Sequence, residues 1–270
     1  MYSNNRPFRS RILLLIIQVM TDHILYGLIG YPLAHSFSAD YFNAKFIKHG
    51  IEASYINFPI ERVDEIKDIV ESHKELAGLN VTIPYKEKII PFLTGLDKKV
   101  TEIGAVNVIR VVADGDSRRL YGYNTDAIGF MESIRPLITE RMTAALVLGT
   151  GGASKAITYG LRQLGLSPLL VSRTPKEGML GYNELDEEIM KSHLVIVNTT
   201  PLGTFPDIGS CPPIPYELLS DSHLCYDLVY NPAETLFLKK SKAQGAIVKN
   251  GLEMLHLQAE EAWRIWNSRI

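Results

Sequence analysis

Apolar and polar positions follow two rhythms along this chain, and their order predicts a layered α/β protein. Residues 25–30, Leu-Tyr-Gly-Leu-Ile-Gly, form an apolar run of strand length that Tyr31-Pro32 breaks. A run of this kind fits a strand buried on both faces. Ser38 is placed as the N-cap of the next helix, Phe42 and Phe46 share one of its faces, and Gly50 stops it. Residues 54–58 alternate as a strand, and Val63, Ile66 and Val70 recur at helical spacing. Residues 78–83 predict a further strand, closed by Pro84. This β-α-β-α-β order implies a mostly parallel sheet covered by helices.

Pro91 and Gly95 then punctuate two short helical pieces. Residues 105–112 and 119–121 predict strands joined through the hairpin signal Asp114-Gly115. Tyr123-Asn124-Thr125-Asp126 opens a helix bearing Ile128, Met131 and Ile134, which sets Asp126 near its N-terminal end. A second α/β series starts at residues 144–148, with strands near Leu169, at 194–197, at 224–229 and near Ile247. Residues 204–215 are a proline- and glycine-rich loop of lid length. A last helix over 252–266 follows Asn250-Gly251. Two series predict two lobes with a ligand cleft. The division expected is 24–125 with 251–270 for substrate, and 126–250 as a Rossmann-like dinucleotide-binding domain.

Composition narrows the function without choosing it. With 270 residues, 46% hydrophobic and 21% charged, and a net charge of −2, the chain is an ordinary globular one. It has no basic excess, so nothing points to nucleic acid. Cys211 and Cys225 stand far apart without metal-ligand spacing, so no metal site and no disulfide framework are expected. A reducing compartment fits, and Cys225, in an apolar run, reads as a core thiol. Residues 1–23 are read as an extension. Arg6, Arg9 and Arg11 precede an apolar run over 12–17 that is too short to span a bilayer, and no small-residue cleavage site follows it. Met20 is the expected start, with a membrane-surface tail as the rival.

The strongest local motif is Gly149-Thr150-Gly151-Gly152-Ala153-Ser154. It ends an apolar strand and opens a helix whose Ile157, Gly160, Leu161 and Leu164 share a face. A strand, glycine turn and helix start present backbone N–H groups to a phosphate. Gly149 can adopt the turn's unusual angles, and Gly151 lets a pyrophosphate approach. The bland alternative is a ligand-free turn. About twenty residues on, an NAD site wants a carboxylate for the ribose 2′-hydroxyl. This chain has Ser172-Arg173-Thr174 instead. The planar guanidinium suits a 2′-phosphate, hence NADP; a solvated surface arginine is the other reading.

Polar clusters also fall where strands end. These are His-Ser-Phe-Ser at 35–38, Asn-Val-Thr-Ile-Pro-Tyr-Lys at 80–86, Gly-Ala-Val-Asn at 104–107 and Asn-Thr-Asp at 124–126. Singly each has a bland reading: a helix cap at Ser38, a turn former at Asn80, a surface lysine at Lys86. In this order, with the glycine turn, Ser-Arg-Thr at 172–174, Asn-Thr-Thr-Pro-Leu-Gly at 198–203, Asp-Leu-Val-Tyr-Asn-Pro at 227–232 and Asn-Gly-Leu-Glu-Met-Leu at 250–255 with Gln258, the chain resembles the shikimate dehydrogenase family. The resemblance spans about residues 26–258.

The resemblance implies NADP-dependent interconversion of 3-dehydroshikimate and shikimate in aromatic amino-acid biosynthesis. It implies two domains, with the closing helix packing back on the substrate lobe. It places the substrate carboxylate at Ser36 and Ser38, with Thr82 and Tyr230 near it. Asn80, Asn107 and Gln258 would take ring hydroxyls, and Lys86 and Asp126 would flank the reacting C3 oxygen. The cofactor would be held by Gly149, Thr150, Gly151, Gly152, Ala153, Ser154, Ser172, Arg173, Thr174, Lys176, Thr199 and Gly251. The residue types suit the chemistry. Ketone reduction builds negative charge on oxygen, which a lysine ammonium stabilises and protonates. The implied protein is cytoplasmic, a monomer or homodimer, with no nucleic-acid or membrane partner.

Several positions depart from the family pattern. Ala39 stands for a usual proline, Thr150 for a usual alanine and Leu202 for a usual methionine. Glu177 occupies the place of a second basic residue of NADP-type members. A carboxylate beside a 2′-phosphate costs on the order of 1 kcal/mol when solvated. Glu177 keeps open an NAD-using quinate/shikimate dehydrogenase. A dinucleotide-sensing protein without chemistry is the alternative from another class, opposed by the presence of both Lys86 and Asp126. A folate or amino-acid dehydrogenase would share only the two-lobed architecture.

Overall fold

A computed structural model describes residues 23–33 and 36–268. The expected extension up to residue 22, with the start at Met20, and His35 of the first serine motif lie outside those residues. The chain divides into two compact units, Met1–Leu96 with Val108–Gly122, and Asp97–Asn107 with Tyr123–Ile270. Among the described residues each unit is built on a six-stranded sheet.

In the first unit, β1 (Ile24–Gly30) runs parallel between β2 (Ala53–Pro59) and β3 (Leu76–Val81). The sheet continues from β3 through antiparallel β5 (Val108–Asp114) and β6 (Ser117–Tyr123), and ends on short β4 (Gly95–Leu96). The β5–β6 hairpin turns at Gly115 with φ 60°, as Asp114-Gly115 predicts. Helix α1 (Phe37–His49) buries Phe42 and Phe46 and ends on Gly50, in the left-handed region at φ 62°. Helix α2 (Ile66–Ser72) buries Ile66, Ile69 and Val70. The expected N-cap at Ser38 is corrected. The helix begins one residue earlier, at Phe37, and Ser36 Oγ accepts the Ala39 N–H at 3.4 Å. Ser38 lies inside the first turn.

The strand expected over 78–83 stops at Val81, because the residues before Pro84 turn: the Tyr85 N–H bonds to the Thr82 carbonyl at 2.9 Å. The strand expected from Ala105 begins at Val108. Both shifts leave Thr82, Lys86 and Asn107 on connections beyond strand ends.

The second unit carries α3 (Lys98–Ile103), α4 (Asp126–Ile134), β7 (Ala144–Leu148), α5 (Gly152–Gln163), β8 (Ser167–Ser172) and β9 (Met179–Gly181). It continues with α6 (Glu187–Ser192), β10 (Val195–Asn198), β11 (Leu224–Asp227), α7 (Leu236–Ala243), β12 (Ile247–Lys249) and α8 (Leu252–Trp266). Its sheet is all parallel, in the order β12-β11-β10-β7-β8-β9. Alternate residues of one strand serve opposite faces. Ala145 and Val147 pack with Phe130, Ile157, Leu161 and Tyr226, while Leu146 and Leu148 pack with Met190, Cys225 and Phe237. Each fully buried aliphatic side chain contributes about 1.5–3 kcal/mol. The apolar runs at 144–148 and 194–197 are therefore strands covered on both sides.

Helix α4 is fixed from two directions. Phe130 meets the Tyr226 ring edge-on at 5.2 Å, and Ser133 Oγ shares a 2.7 Å hydrogen bond with the Tyr226 hydroxyl. Helix α8 lies so close that a Cβ on Gly129 would fall 2.7 Å from the Met254 carbonyl oxygen. Cys225 is a core thiol whose pKa burial pushes up to about 12. Among the described residues no helix is long and apolar enough to cross a membrane, and no cluster of three metal-ligating side chains occurs.

Candidate functional site

In the first unit two of the polar candidates, Ser38 and Asn80, meet at a tyrosine outside the expected site residues. Tyr55 on β2 is buried, and its ring stacks on Phe42 at 5.0 Å. Its hydroxyl donates to Asn80 Oδ1 at 2.8 Å and is hydrogen-bonded to Ser38. Burial holds the phenol well above its usual range. Ser38 and Asn80 thus share one neutral partner at the ends of α1 and β3. Ser36 adds a capping hydroxyl, which accepts from Ala39 and retains its own proton to donate. Thr82, half-buried, is fixed by its N–H to the Ile29 carbonyl at 3.0 Å.

Lys86 sits on a turn and is half-buried, not on the open surface. Its neighbours hold the turn. Tyr85 is buried with its hydroxyl on the Ile60 carbonyl at 2.6 Å, and the Ile89 N–H bonds to the Tyr85 carbonyl at 2.9 Å. The ammonium is thereby carried on a fixed backbone.

Tyr55→Phe keeps the ring and deletes only the bridge. It is expected to raise KM for the substrate about tenfold, with kcat within about twofold, since one buried polar partner of Asn80 is lost. Steady-state kinetics beside a melting curve checks this; an unchanged KM would remove Tyr55 from the site.

In the second unit a buried amide network surrounds the first turn of α4. Asn107 Nδ2 donates to Asp126 Oδ1 at 2.9 Å and to Thr125 Oγ1 at 3.0 Å, and Asn107 Oδ1 accepts the Thr125 N–H at 2.7 Å. Gln258 Oε1 lies 3.5 Å from Asn107 Nδ2 and 3.4 Å from Thr125 Oγ1, and Gln258 Nε2 donates to the Leu255 carbonyl at 3.0 Å. Asn124 closes the turn, donating to the Ala105 carbonyl at 2.9 Å and accepting the Ala127 N–H at 3.1 Å. Asp126 is 7% exposed, so its carboxylate is held rather than solvated. The structure brings Asn107, Asp126 and Gln258 together as three of the expected site residues. Thr125 and Asn124 were not singled out, although both stand in the motif that carries Asp126.

The glycine turn has the form a pyrophosphate needs. Gly149 has φ 110°, and a Cβ there would lie 2.8 Å from Thr199 Oγ1. Thr199 itself is tied to the end of β7, its N–H and Oγ1 reaching the Leu148 carbonyl at 3.0 and 2.7 Å. A Cβ on Gly151, in contrast, would meet nothing within 4 Å. That open backbone opens α5, whose first turn has no acidic residue to oppose an anion. Ser154 turns inward, its hydroxyl on the Gly151 carbonyl at 2.6 Å. The site therefore fits a dinucleotide, with Thr150, Gly152 and Ala153 supplying the surrounding backbone.

Beyond β8, Ser172 Oγ accepts the Thr174 N–H at 3.2 Å. Arg173, Thr174, Lys176 and Glu177 are all exposed there. Tyr182 lies close enough that Arg173's charge partly offsets the upward push of burial on its phenol. Gly251 is required by packing, since a Cβ there would collide with the Leu228 carbonyl. Tyr230 is 37% exposed, and burial raises its phenol above the usual range.

Comparison with known proteins identifies what this arrangement is similar to. The family profile described as the shikimate dehydrogenase substrate binding domain matches residues 28–109. The NADP(+) shikimate dehydrogenase of Aquifex aeolicus is 40% identical over 256 residues, covering 90% of this chain and 91% of that protein. The Thermus thermophilus shikimate 5-dehydrogenase, crystallised with NADP(H) and shikimate, superposes with a TM-score of 0.78 at 30% identity, covering 92% of this chain and 94% of that one. Quinate dehydrogenase from Corynebacterium glutamicum in complex with NAD superposes with a TM-score of 0.79 at 25% identity, covering 91% and 94%.

Proposed function

The chain belongs to the shikimate dehydrogenase family, and on that premise we propose that it interconverts 3-dehydroshikimate and shikimate with NADP(H). The observations that best support the reading within the chain are the buried Asn107–Thr125–Asp126–Gln258 network and a helix start open to a pyrophosphate.

Ser36 donates a hydrogen bond to the substrate carboxylate, and Ser38, turned to Tyr55, lines that site with Thr82 and Tyr230 near it. Asn80, held by Tyr55, and Asn107 and Gln258 take ring hydroxyls. NADPH, when bound, supplies the hydride that reaches C3. The Lys86 ammonium stabilises the negative charge that builds on the C3 oxygen and gives it a proton. Asp126 accepts a hydrogen bond from the hydroxyl formed, its orientation set by Asn107. In the oxidative direction the same proton returns to the Lys86 amine. The substrate is a small molecule, and the cytoplasm and a monomeric or homodimeric state belong to this reading.

Arg173, with Thr174 and Lys176, holds the 2′-phosphate. Arg173→Ala is expected to raise KM for NADP+ at least about tenfold and to leave KM for NAD+ within about twofold, as the loss of charge-assisted bonds to a phosphate would do. Glu177→Lys is expected to move the NADP+/NAD+ preference the other way. Initial rates with both cofactors check this; equal effects on the two would place the phosphate elsewhere. The reading itself is tested by following NADPH absorbance with shikimate present and absent.

A further inference from the structure

One buried carboxylate takes no part in the proposed reaction, yet it ties together the loops on which the proposed dinucleotide contacts lie. Asp227 ends β11 and is fully buried. Its Oδ1 accepts from Asn198 Nδ2 at 2.9 Å and from the Val229 N–H at 3.0 Å, and its Oδ2 accepts from Thr235 Oγ1 at 2.6 Å. Three donors therefore converge on two oxygens. In the strand register Asn198 stands beside Asp227 on one side and Leu148 on the other.

The chain of bonds continues from Asn198 to the glycine turn. Asn198 Oδ1 accepts both the Thr200 N–H at 3.0 Å and the Thr200 hydroxyl at 2.6 Å. Thr199 and Thr200 then lie against Gly149, with Thr199 Oγ1 and Thr200 Cγ2 at 2.8 and 3.1 Å from where its Cβ would be. On the other side the Gly251 N–H reaches the Val229 carbonyl at 3.3 Å, and Thr235 caps α7 by accepting the Leu238 N–H at 3.3 Å.

We propose that Asp227 is a positioning residue for dinucleotide binding, acting through Asn198 to seat the 199–203 loop against the glycine turn and through Val229 to seat Gly251. The inference rests on the placement of the cofactor given above. Only the carboxylate anion accepts all three donors. A proton on Oδ2 forces the Thr235 hydroxyl, already accepting from Leu238, to turn away or to accept a second bond. Burial raises the Asp227 pKa to about 6, with the three donors opposing that rise. The ionisable neighbours are Tyr216, whose phenol is raised chiefly by burial with a smaller push from the Asp227 charge and stays protonated, and the neutral Cys225 thiol on its own strand. The Lys240 ammonium nearby sits over the Tyr216 ring at 4.9 Å.

The test is the dissociation constant of NADP+ from the wild-type protein and from Asp227→Asn, measured by calorimetry from pH 5 to 8. An asparagine keeps the Oδ1 acceptor and presents a donor at the second position, so it imitates the protonated acid at every pH. The expected ratio of the two constants is about tenfold at pH 8, falling towards one at pH 5. The cofactor's own phosphate, which loses its second proton near pH 6, cancels in the ratio. Thr235→Val removes a donor to the anion and is expected to move the wild-type inflection to higher pH, while Thr235→Ser leaves it in place. A ratio flat with pH, or a Thr235→Val profile unmoved, overturns the role. Absence of NADP+ binding by the wild type at every pH would instead overturn the cofactor assignment.

Discussion

Lys86→Ala is expected to lower kcat for shikimate oxidation about 10³-fold while KM stays within about threefold. General acid–base catalysis contributes about 10²–10⁴-fold, and a charge placed where oxyanion character develops contributes about 10²–10³-fold. Both contributions belong to the transition state, so the loss falls on kcat. The backbone under Lys86 is held by its neighbours. Tyr85 keeps its bond to Ile60 and Ile89 stays in the core, so the variant folds and its melting temperature holds. Lys86→Arg separates the two contributions. Arginine keeps the charge but does not give up its proton near neutral pH, so kcat should remain about 10²-fold down. A folded Lys86→Ala protein with kcat within about tenfold of wild type would remove Lys86 from the mechanism.

The second large effect is expected at the glycine turn, where two neighbouring glycines should fail differently. At Gly149 the backbone is at φ 110° and a Cβ would press on Thr199. Gly149→Ala should therefore cost about 2–4 kcal/mol of stability, from backbone strain together with overpacking. It should also weaken NADP+ binding at least about thirtyfold, because the turn and the Thr199–Thr200 loop must move together. At Gly151 the conformation is ordinary, with φ −81° and ψ −177°, and the added methyl meets no protein atom within 4 Å. Gly151→Ala should leave stability within about 0.5 kcal/mol and still weaken NADP+ about tenfold, because the methyl occupies the approach of the pyrophosphate. Chemical denaturation and calorimetric titration on the two variants check this. Affinity losses that track stability alone, with Gly151→Ala binding NADP+ as the wild type does, would mean that Gly151 faces no ligand.

The two glycines show which features a sequence makes legible. The glycine turn, the strand before it and the helix after it are contiguous, and hydrophobic spacing places all three. Five strands of the second sheet follow from apolar runs for the same reason, while the short edge strand β9 (Met179–Gly181) carries no such signal. The Tyr55–Asn80 bridge joins residues 25 positions apart, and the Asn198–Asp227 pair joins residues 29 apart. Tyrosine, asparagine and threonine are also unremarkable singly, because their role comes from the partner the fold supplies. The cap of α1 illustrates a finer ambiguity. Ser36 and Ser38 are both good caps by residue type, and the choice falls to Ser36 because the helix starts at Phe37, whose ring stacks on Tyr41 at 5.4 Å. Gly251 shows the reverse case. The resemblance points to it as a cofactor contact, and the close passage of the Leu228 carbonyl gives it a packing reason of its own.

The most direct measurement is the matrix of kcat/KM for shikimate and quinate against NADP+ and NAD+ on the purified full chain. The account requires shikimate with NADP+ to exceed shikimate with NAD+ by at least about tenfold, the margin a guanidinium-bound 2′-phosphate supplies, and to exceed quinate with either cofactor. Quinate with NAD+ at an equal or higher value, or no turnover of shikimate with either cofactor, would contradict it.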